Sequence, residues 1–327
     1  MARQPTATAP AAETLAEIFE AVVANVSRVI QGKEQAIRLA LVGIAAEGHI
    51  LVEDVPGVGK TSLAKALARS FDLSWSRIQF TPDLLPSDVT GVSVYDRADR
   101  TFTFRPGGVF ANVVLADEIN RASPRTQAAL LESMQERQVT VDGVTRPLPA
   151  PFLVIATQNP TEHQGTYPLP ESQLDRFLLR LRMGYPARDA ELAMLDTADR
   201  RSVDDLQPVA GPDAVTSMVT VASHIHVAPA LKGYIVDLAT ATRRHPGLSL
   251  GMSPRAVLAL QRAARALAGS IGRNYVVPDD VKALIGPVLE HRVVASPEAA
   301  LGGRAVGELL DDAIRSVPVP AGRGSGR

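Results

Sequence analysis

The segment that most constrains this chain is Ile50-Leu51-Val52-Glu53-Asp54-Val55-Pro56-Gly57-Val58-Gly59-Lys60-Thr61. A short apolar run ends in a Gly-rich turn, and Gly-Lys-Thr then opens a helical pattern. That order predicts strand, phosphate-cradling loop and helix. Gly57 and Gly59 leave room for backbone N–H groups to close around phosphate oxygens. The N-terminus of the following helix adds positive potential at the same point. In such a loop Lys60 reaches the β- and γ-phosphates and the Thr61 hydroxyl ligates magnesium. The candidate nucleotide-binding set is Asp54, Val55, Pro56, Gly57, Val58, Gly59, Lys60, Thr61 and Ser62. One departure stands out: the full pattern has Gly five residues before Gly59, where this chain has Asp54. The helical context holds nonetheless, since Leu63, Leu67 and Phe71 recur on one face with Ala64 and Ala68 beside them. A dinucleotide-binding turn is excluded, because Ser62 occupies the place of its third Gly.

Around this loop the chain alternates strand and helix signals, which predicts an α/β fold with a parallel sheet between helices. Strands are expected at Trp75–Phe80, Val113–Ala116, Phe152–Ala156 and Leu178–Met183; the continuous apolar runs suit central parallel strands. Helices are expected over residues 13–30, over Lys33–Glu47 with Gly48 as C-cap, and after Ser123-Pro124, an N-cap followed by Pro at the first helical position. Two hairpins interrupt the core, at about 90–105 and 138–147; Asp142-Gly143 is a strong hairpin turn. Strand signals vanish after about Arg188. The expected organisation is a disordered N-terminus at 1–12, an α/β core at 13–187, an all-helical domain at 188–316 and a disordered tail at 317–327.

A chain of 327 residues fits about two domains. Its net charge of −1 argues against a protein that coats nucleic acid. It has no cysteine, which removes disulfides, thiolate metal sites and cysteine nucleophiles. No apolar stretch is long enough to span a bilayer and no signal-type core is seen, so a soluble cytoplasmic protein is expected. His224 and His226 would diverge on a helix and make a poor metal pair. Ser270 sits in a Gly-Ser-Ile-Gly context close to a nucleophile elbow, but it follows an Ala-rich helical pattern and reads as a helix end.

The remaining candidates lie at strand ends. Asp117-Glu118 closes the run from Val113 at the carboxyl edge of a parallel sheet, the edge that adjoins the phosphate loop. Asp117 can hold magnesium, directly or through water, and Glu118 can polarise an attacking water. Thr157-Gln158-Asn159 ends the next strand, where the Asn159 amide can position that water. Arg176 precedes the last strand, and Arg255 opens a helix after Ser253-Pro254.

Taken in order, these motifs resemble the AAA+ ATPase superfamily, and more closely its MoxR family. Val55–Thr61 matches the family's Walker A loop, including its tolerance of a non-Gly first position. Leu115–Ala122 matches its Walker B segment. Gln79–Asp88 and Gly165–Phe177 match two further stretches distinctive of the family. The resemblance covers about residues 15–310. It implies ATP and Mg2+ as ligands and hydrolysis in a ring, most often a hexamer. It implies Asn159 as sensor 1, Arg176 as an arginine finger acting on the neighbouring subunit, and Arg255 as sensor 2 on a lid domain. The two hairpins would line the central pore. The implied role is chaperone-like remodelling of partner proteins, often ones with a von Willebrand factor A domain. Alternatives are a magnesium-chelatase-type motor subunit, a helicase-related motor and a nucleotide switch that barely hydrolyses. Gly108 stands where the family commonly has Pro, and His163 where it commonly has Gln.

Overall fold

The computed structural model describes residues 8–159, 165–197 and 202–320. Eleven strands occur among them: β1 (Ile50–Glu53), β2 (Trp75–Gln79), β3 (Gly91–Asp96), β4 (Thr101–Pro106), β5 (Val113–Asp117), β6 (Gln138–Val141), β7 (Val144–Pro147), β8 (Leu153–Gln158), β9 (Leu179–Leu181), β10 (Leu248–Leu250) and β11 (Val294–Ala295). A five-stranded sheet runs in the order β2-β5-β8-β1-β9. Its β2–β5, β5–β8 and β8–β1 pairs are parallel. The apolar runs explain the two middle strands: every residue of β5 and all but the last of β8 are buried, as a sheet covered on both faces requires. Val114, Val154, Leu51 and Phe80 pack in one core with Leu130 and Met134 of the helix Pro124–Glu136.

The expected hairpins form as β3–β4 and β6–β7, both antiparallel. Asp142 and Gly143 both take positive φ, as their turn requires. Ser123 and Ser253 cap their helices by accepting hydrogen bonds from the Thr126 and Ala256 N–H groups. Ser270 ends the helix Pro254–Ser270 and donates to the Leu267 carbonyl, so it stands on no strand-to-helix elbow.

Three local expectations need correction. The first helix spans Ala9–Ser27, so residues 9–12 are helical and Ala12 is fully buried. Pro10 lies in the first turn, where its missing N–H costs nothing, and Ala11 and Ala12 are strong helix formers. The helix Glu34–Ala45 ends through Glu47 at φ +54° rather than through Gly48, whose N–H donates to the Gly43 carbonyl. The C-terminal part is not wholly helical, because β10 and β11 form a small antiparallel ribbon.

The chain divides into two compact units. One comprises Ile18–Phe177 and Leu181–Thr216; the other comprises residues 8–17, 178–180 and 217–320. The division near 216 lies well past the composition shift at 188. Residues 204–210 are held within the sheet-bearing unit: Val209 and Ala210 donate to the Ser70 carbonyl, Asn25 donates to the Gln207 carbonyl, and Lys65 and Arg69 pair with Asp204. In the helical unit, Leu15 and Ile225 close on Gly269; a Cβ there would lie 2.6 Å from Ile225 and 3.0 Å from Leu15.

Candidate functional site

The phosphate loop joins β1 to the helix Lys60–Ser70. Gly57 and Gly59 adopt φ of +83° and +91°, a region that Gly enters without a Cβ penalty. Lys60 is the first helical residue, and its ammonium donates to the Asp54 carbonyl at 2.7 Å. The Asp54 side chain turns away from the cradle. One carboxylate oxygen accepts the Val55 N–H at 2.8 Å, and the other accepts the N–H groups of Met183 at 2.7 Å and Gly184 at 2.5 Å. The residue that breaks the Gly-rich pattern thus fastens the loop to the segment leaving β9.

The second cluster follows β5. Asp117 is buried; one of its oxygens accepts the Thr157 hydroxyl at 2.6 Å and the other the Arg77 guanidinium at 2.7 Å. The Thr157 hydroxyl oxygen in turn accepts the Glu118 N–H at 2.8 Å. Glu118 sits at φ +55°, ψ +49°, a left-handed conformation that costs a non-Gly residue on the order of 1–3 kcal/mol. Its carboxylate accepts from Gln79 at 2.8 Å and from Arg121 at 3.1 Å. Both acids are thus anchored by neighbouring strands: Arg77 and Gln79 lie on β2, and Thr157 on β8.

The next strand end supplies neutral amides. Asn159 follows β8 directly and is buried. The side-chain nitrogen of Gln158, paired in register with Glu53, is buried and has no hydrogen-bond partner among the described residues. An orphan donor at the carboxyl edge suits an anionic ligand. The edge therefore gathers Lys60 and Thr61 after β1, Asp117 and Glu118 at the end of β5, and Gln158 and Asn159 at the end of β8, which lies between them. The Thr61 hydroxyl and the Asp117 carboxylate are hard oxygen donors. Magnesium takes only one or two protein ligands beside substrate phosphate and water. No group of three or more His, Cys, Asp or Glu placed to hold a metal ion exists among the described residues.

Two arginines complete the candidate set. Arg176 donates to the Leu131 carbonyl at 2.8 Å, while its Nε is buried without a partner. It borders a cavity of about 240 Å³ with Leu131, Glu132, Gln135, Glu136 and Gln173. Arg255 is the second residue of the helix Pro254–Ser270 and belongs to the helical unit. Gly108 donates its N–H to the Asp88 carbonyl, a bond that Pro could not make, and packs where a Cβ would meet Ile78 at 2.5 Å. His163 lies outside the described residues.

Sequence reading missed Arg77, Gln79, Thr157 and the bonds of the Asp54 carboxylate. The alternation in β2 puts Arg77 and Gln79 on one face, but only the strand order reveals that Asp117 and Glu118 lie alongside.

A Gly-rich loop at the start of a helix, with an acid pair closing a parallel strand two places along the same sheet, defines a P-loop ATPase architecture. Comparison with known proteins agrees. Residues 49–179 match the model of the ATPase family associated with various cellular activities, and residues 240–312 match the AAA lid domain. The chain is 46% identical to the YeaC protein of Bacillus subtilis over 316 residues, covering 96% of this chain and 99% of that one. It is 40% identical to the chaperone MoxR1 of Mycobacterium tuberculosis over 311 residues, covering 92% and 82%. A crystal structure of a Cytophaga hutchinsonii protein superposes with a TM-score of 0.89 at 36% identity, covering 95% and 98%. Likeness to a magnesium-chelatase subunit of Glycine max is 29% identity over 57% of this chain and 44% of that protein. The chain belongs to the MoxR family of AAA+ ATPases.

Proposed function

We propose that this protein hydrolyses ATP in an oligomeric ring, a hexamer, and uses the cycle to remodel or activate partner proteins in the cytoplasm. The observation that carries the reading is the placement of Asp117 and Glu118 at the end of β5, with only β8 between that strand and the one leading into the phosphate loop. Lys60 neutralises the β- and γ-phosphates. Thr61 and Asp117 hold the magnesium, whose chemistry when bound is to neutralise charge on the phosphate oxygens. Glu118 polarises the attacking water, and Asn159 orients it against the γ-phosphate. Glu118 must first exchange its bonds to Gln79 and Arg121 for that water. Both donors are partly exposed, so the exchange costs little.

Arg176 completes the site of the neighbouring subunit, and Arg255 reports on the γ-phosphate from the lid. A finger supplied in trans explains why a ring is needed: an isolated protomer lacks one charge of its own catalytic site. The two hairpins line the pore, and a partner with a von Willebrand factor A domain is the candidate client. Among the described residues no helix is long and apolar enough to cross a membrane.

Titration with a fluorescent nucleotide tests the assignment. Lys60→Ala is expected to weaken ATP binding, because the phosphates lose their main cationic partner, whereas Glu118→Gln is expected to bind ATP without turning it over. Equal loss of binding in both variants would overturn these roles.

A further inference from the structure

Asp54 carries two sets of bonds on one residue. Its carbonyl accepts the Lys60 ammonium, and its carboxylate accepts the Met183 and Gly184 N–H groups. The same short segment is gripped from its other side. The Lys33 ammonium donates to the carbonyls of Met183 at 2.7 Å, Gly184 at 2.8 Å and Tyr185 at 2.6 Å. The segment 183–185 is therefore held by an anion on two of its N–H groups and a cation on all three of its carbonyls. Charge-assisted bonds of this kind are about twice as strong as neutral ones. A surface tether would not need this convergence of an anion and a cation on three residues.

A ligand shifts a conformational equilibrium only through contacts that differ between the two states. The Lys60–Asp54 bond is such a contact. When Lys60 turns to a phosphate, the Asp54 carbonyl loses its donor, and the peptide carrying the carboxylate is freed to shift. We infer that Asp54 is a positioning residue that couples the state of Lys60 to the segment leaving β9. The segment is well placed for this. Immediately upstream, residues 178–180 belong to the helical unit, where Arg180 pairs with Glu290 and Arg292 donates to the Leu178 carbonyl. Immediately downstream the chain enters the helix Arg188–Thr197. The inference rests on the nucleotide reading of the loop and adds a transmitting role for the residue that departs from the loop pattern.

Asp54→Gly restores the ordinary loop sequence and removes the latch. Hydrogen exchange over residues 182–187 in the full-length protein, with ADP and with a slowly hydrolysed ATP analogue, reads the coupling. The parent is expected to differ between the two nucleotides there, and Asp54→Gly is expected to lose that difference. The kinetic signature is a kcat lowered about tenfold with KM moved less than about threefold, because the loss falls after binding. Asp54→Glu keeps both acceptor oxygens and should restore part of the response. Lys33→Met loosens the same segment from its carbonyl side and should also blunt it; should Asp54→Gly fail to fold, this variant decides. A parent that binds ATP but shows no difference over 182–187, or a variant that responds as fully as the parent, overturns the inference alone. A parent that binds no ATP overturns the proposed function as well.

Discussion

Strand β5 and the β3–β4 hairpin are neighbours in the chain but are stabilised in opposite ways. Every residue of β5 is buried, and its parallel neighbours β2 and β8 fix it on both edges. The hairpin is exposed along most of both strands, and Phe102 keeps 74% of its surface in water. Its order comes from cross-strand bonds and a few ring contacts. Tyr95 lies against Phe102 at 5.2 Å, and the Arg146 guanidinium covers the Phe104 ring at 3.9 Å. The buried strand can therefore carry a strained residue at its end, Glu118, because the surrounding sheet over-determines its position. The hairpin has no such support, and what it presents is apolar surface that the core does not use. Three kinds of position follow: those that change turnover and spare stability, those that change stability, and those that change neither.

The largest effect is expected at Arg176. If it acts in trans, Arg176→Ala should bind ATP normally and hydrolyse it about 10³–10⁵-fold more slowly, the range of arginine fingers in related phosphoryl transfer. Among the described residues its side chain makes one hydrogen bond, to the Leu131 carbonyl; a bond from a charged group is worth about 1.5–3 kcal/mol, so the melting temperature should fall by several degrees at most. Mixing Arg176→Ala with Lys60→Ala protomers should recover some activity, because one type of interface then keeps both intact halves. No recovery in subunits shown to co-assemble would sink the trans assignment.

Glu118→Gln comes next. Loss of a general base lowers turnover by about 10²–10⁴-fold, measured by phosphate release at saturating ATP. The amide can keep one oxygen toward the Gln79 and Arg121 donors, so stability should stay near that of the parent. A variant that melts well below the parent would show that the carboxylate serves the fold as much as the chemistry.

Leu115→Ala reverses that pattern. Leu115 is fully buried in β5, with Arg77 and Ile155 opposite it in register. Truncation of such a leucine costs about 2–5 kcal/mol, through lost burial and the cavity left behind. Denaturant melts should show the loss, while turnover at a temperature where the variant remains folded should change far less than in Glu118→Gln.

The contrast also explains what was legible in the sequence. Val113–Ala116 and Phe152–Ala156 are unbroken apolar runs, and burial on both faces leaves such runs no alternative. Asp142-Gly143 announces its hairpin because few residue pairs tolerate two positive φ values. The placement of Asp117, Glu118 and Asn159 at strand ends was readable because those runs fix the ends, and that of Lys60 and Thr61 because the Gly-rich turn opens their helix. The partners of these residues were not. Arg77 meets Asp117 across 40 residues, and Asp54 meets Met183 across 129. Such pairings depend on strand order and register, which local periodicity does not encode. The β10–β11 ribbon was missed for a related reason: two or three residues are too few to show an alternation. The start of the first helix was obscured by composition, because Ala-Pro-Ala-Ala reads as disorder until Leu15 and Phe19 give it a surface to bury.

The smallest stability effect is expected at Phe102. Exposed substitutions away from caps, cavities and buried polar groups usually stay within about 0.5 kcal/mol. Phe102→Ser removes the tilted contact with Tyr95, worth about 0.5–1.5 kcal/mol when an aromatic pair is well packed. This pair is largely in water, with Tyr95 itself 48% exposed, so most of that value is already lost to solvation. The substitution also takes an apolar ring out of water, which offsets part of what remains. The hairpin keeps its backbone ladder from Gly91–Pro106 to Asp96–Thr101, and Phe104 keeps Arg146 above it and Phe110 at its edge. Chemical denaturation should therefore place Phe102→Ser within about 0.5 kcal/mol of the parent, with an unchanged m-value. A loss comparable to that of Leu115→Ala would show that the hairpin is part of the core's cooperative unit, and the contrast between the two regions would fail.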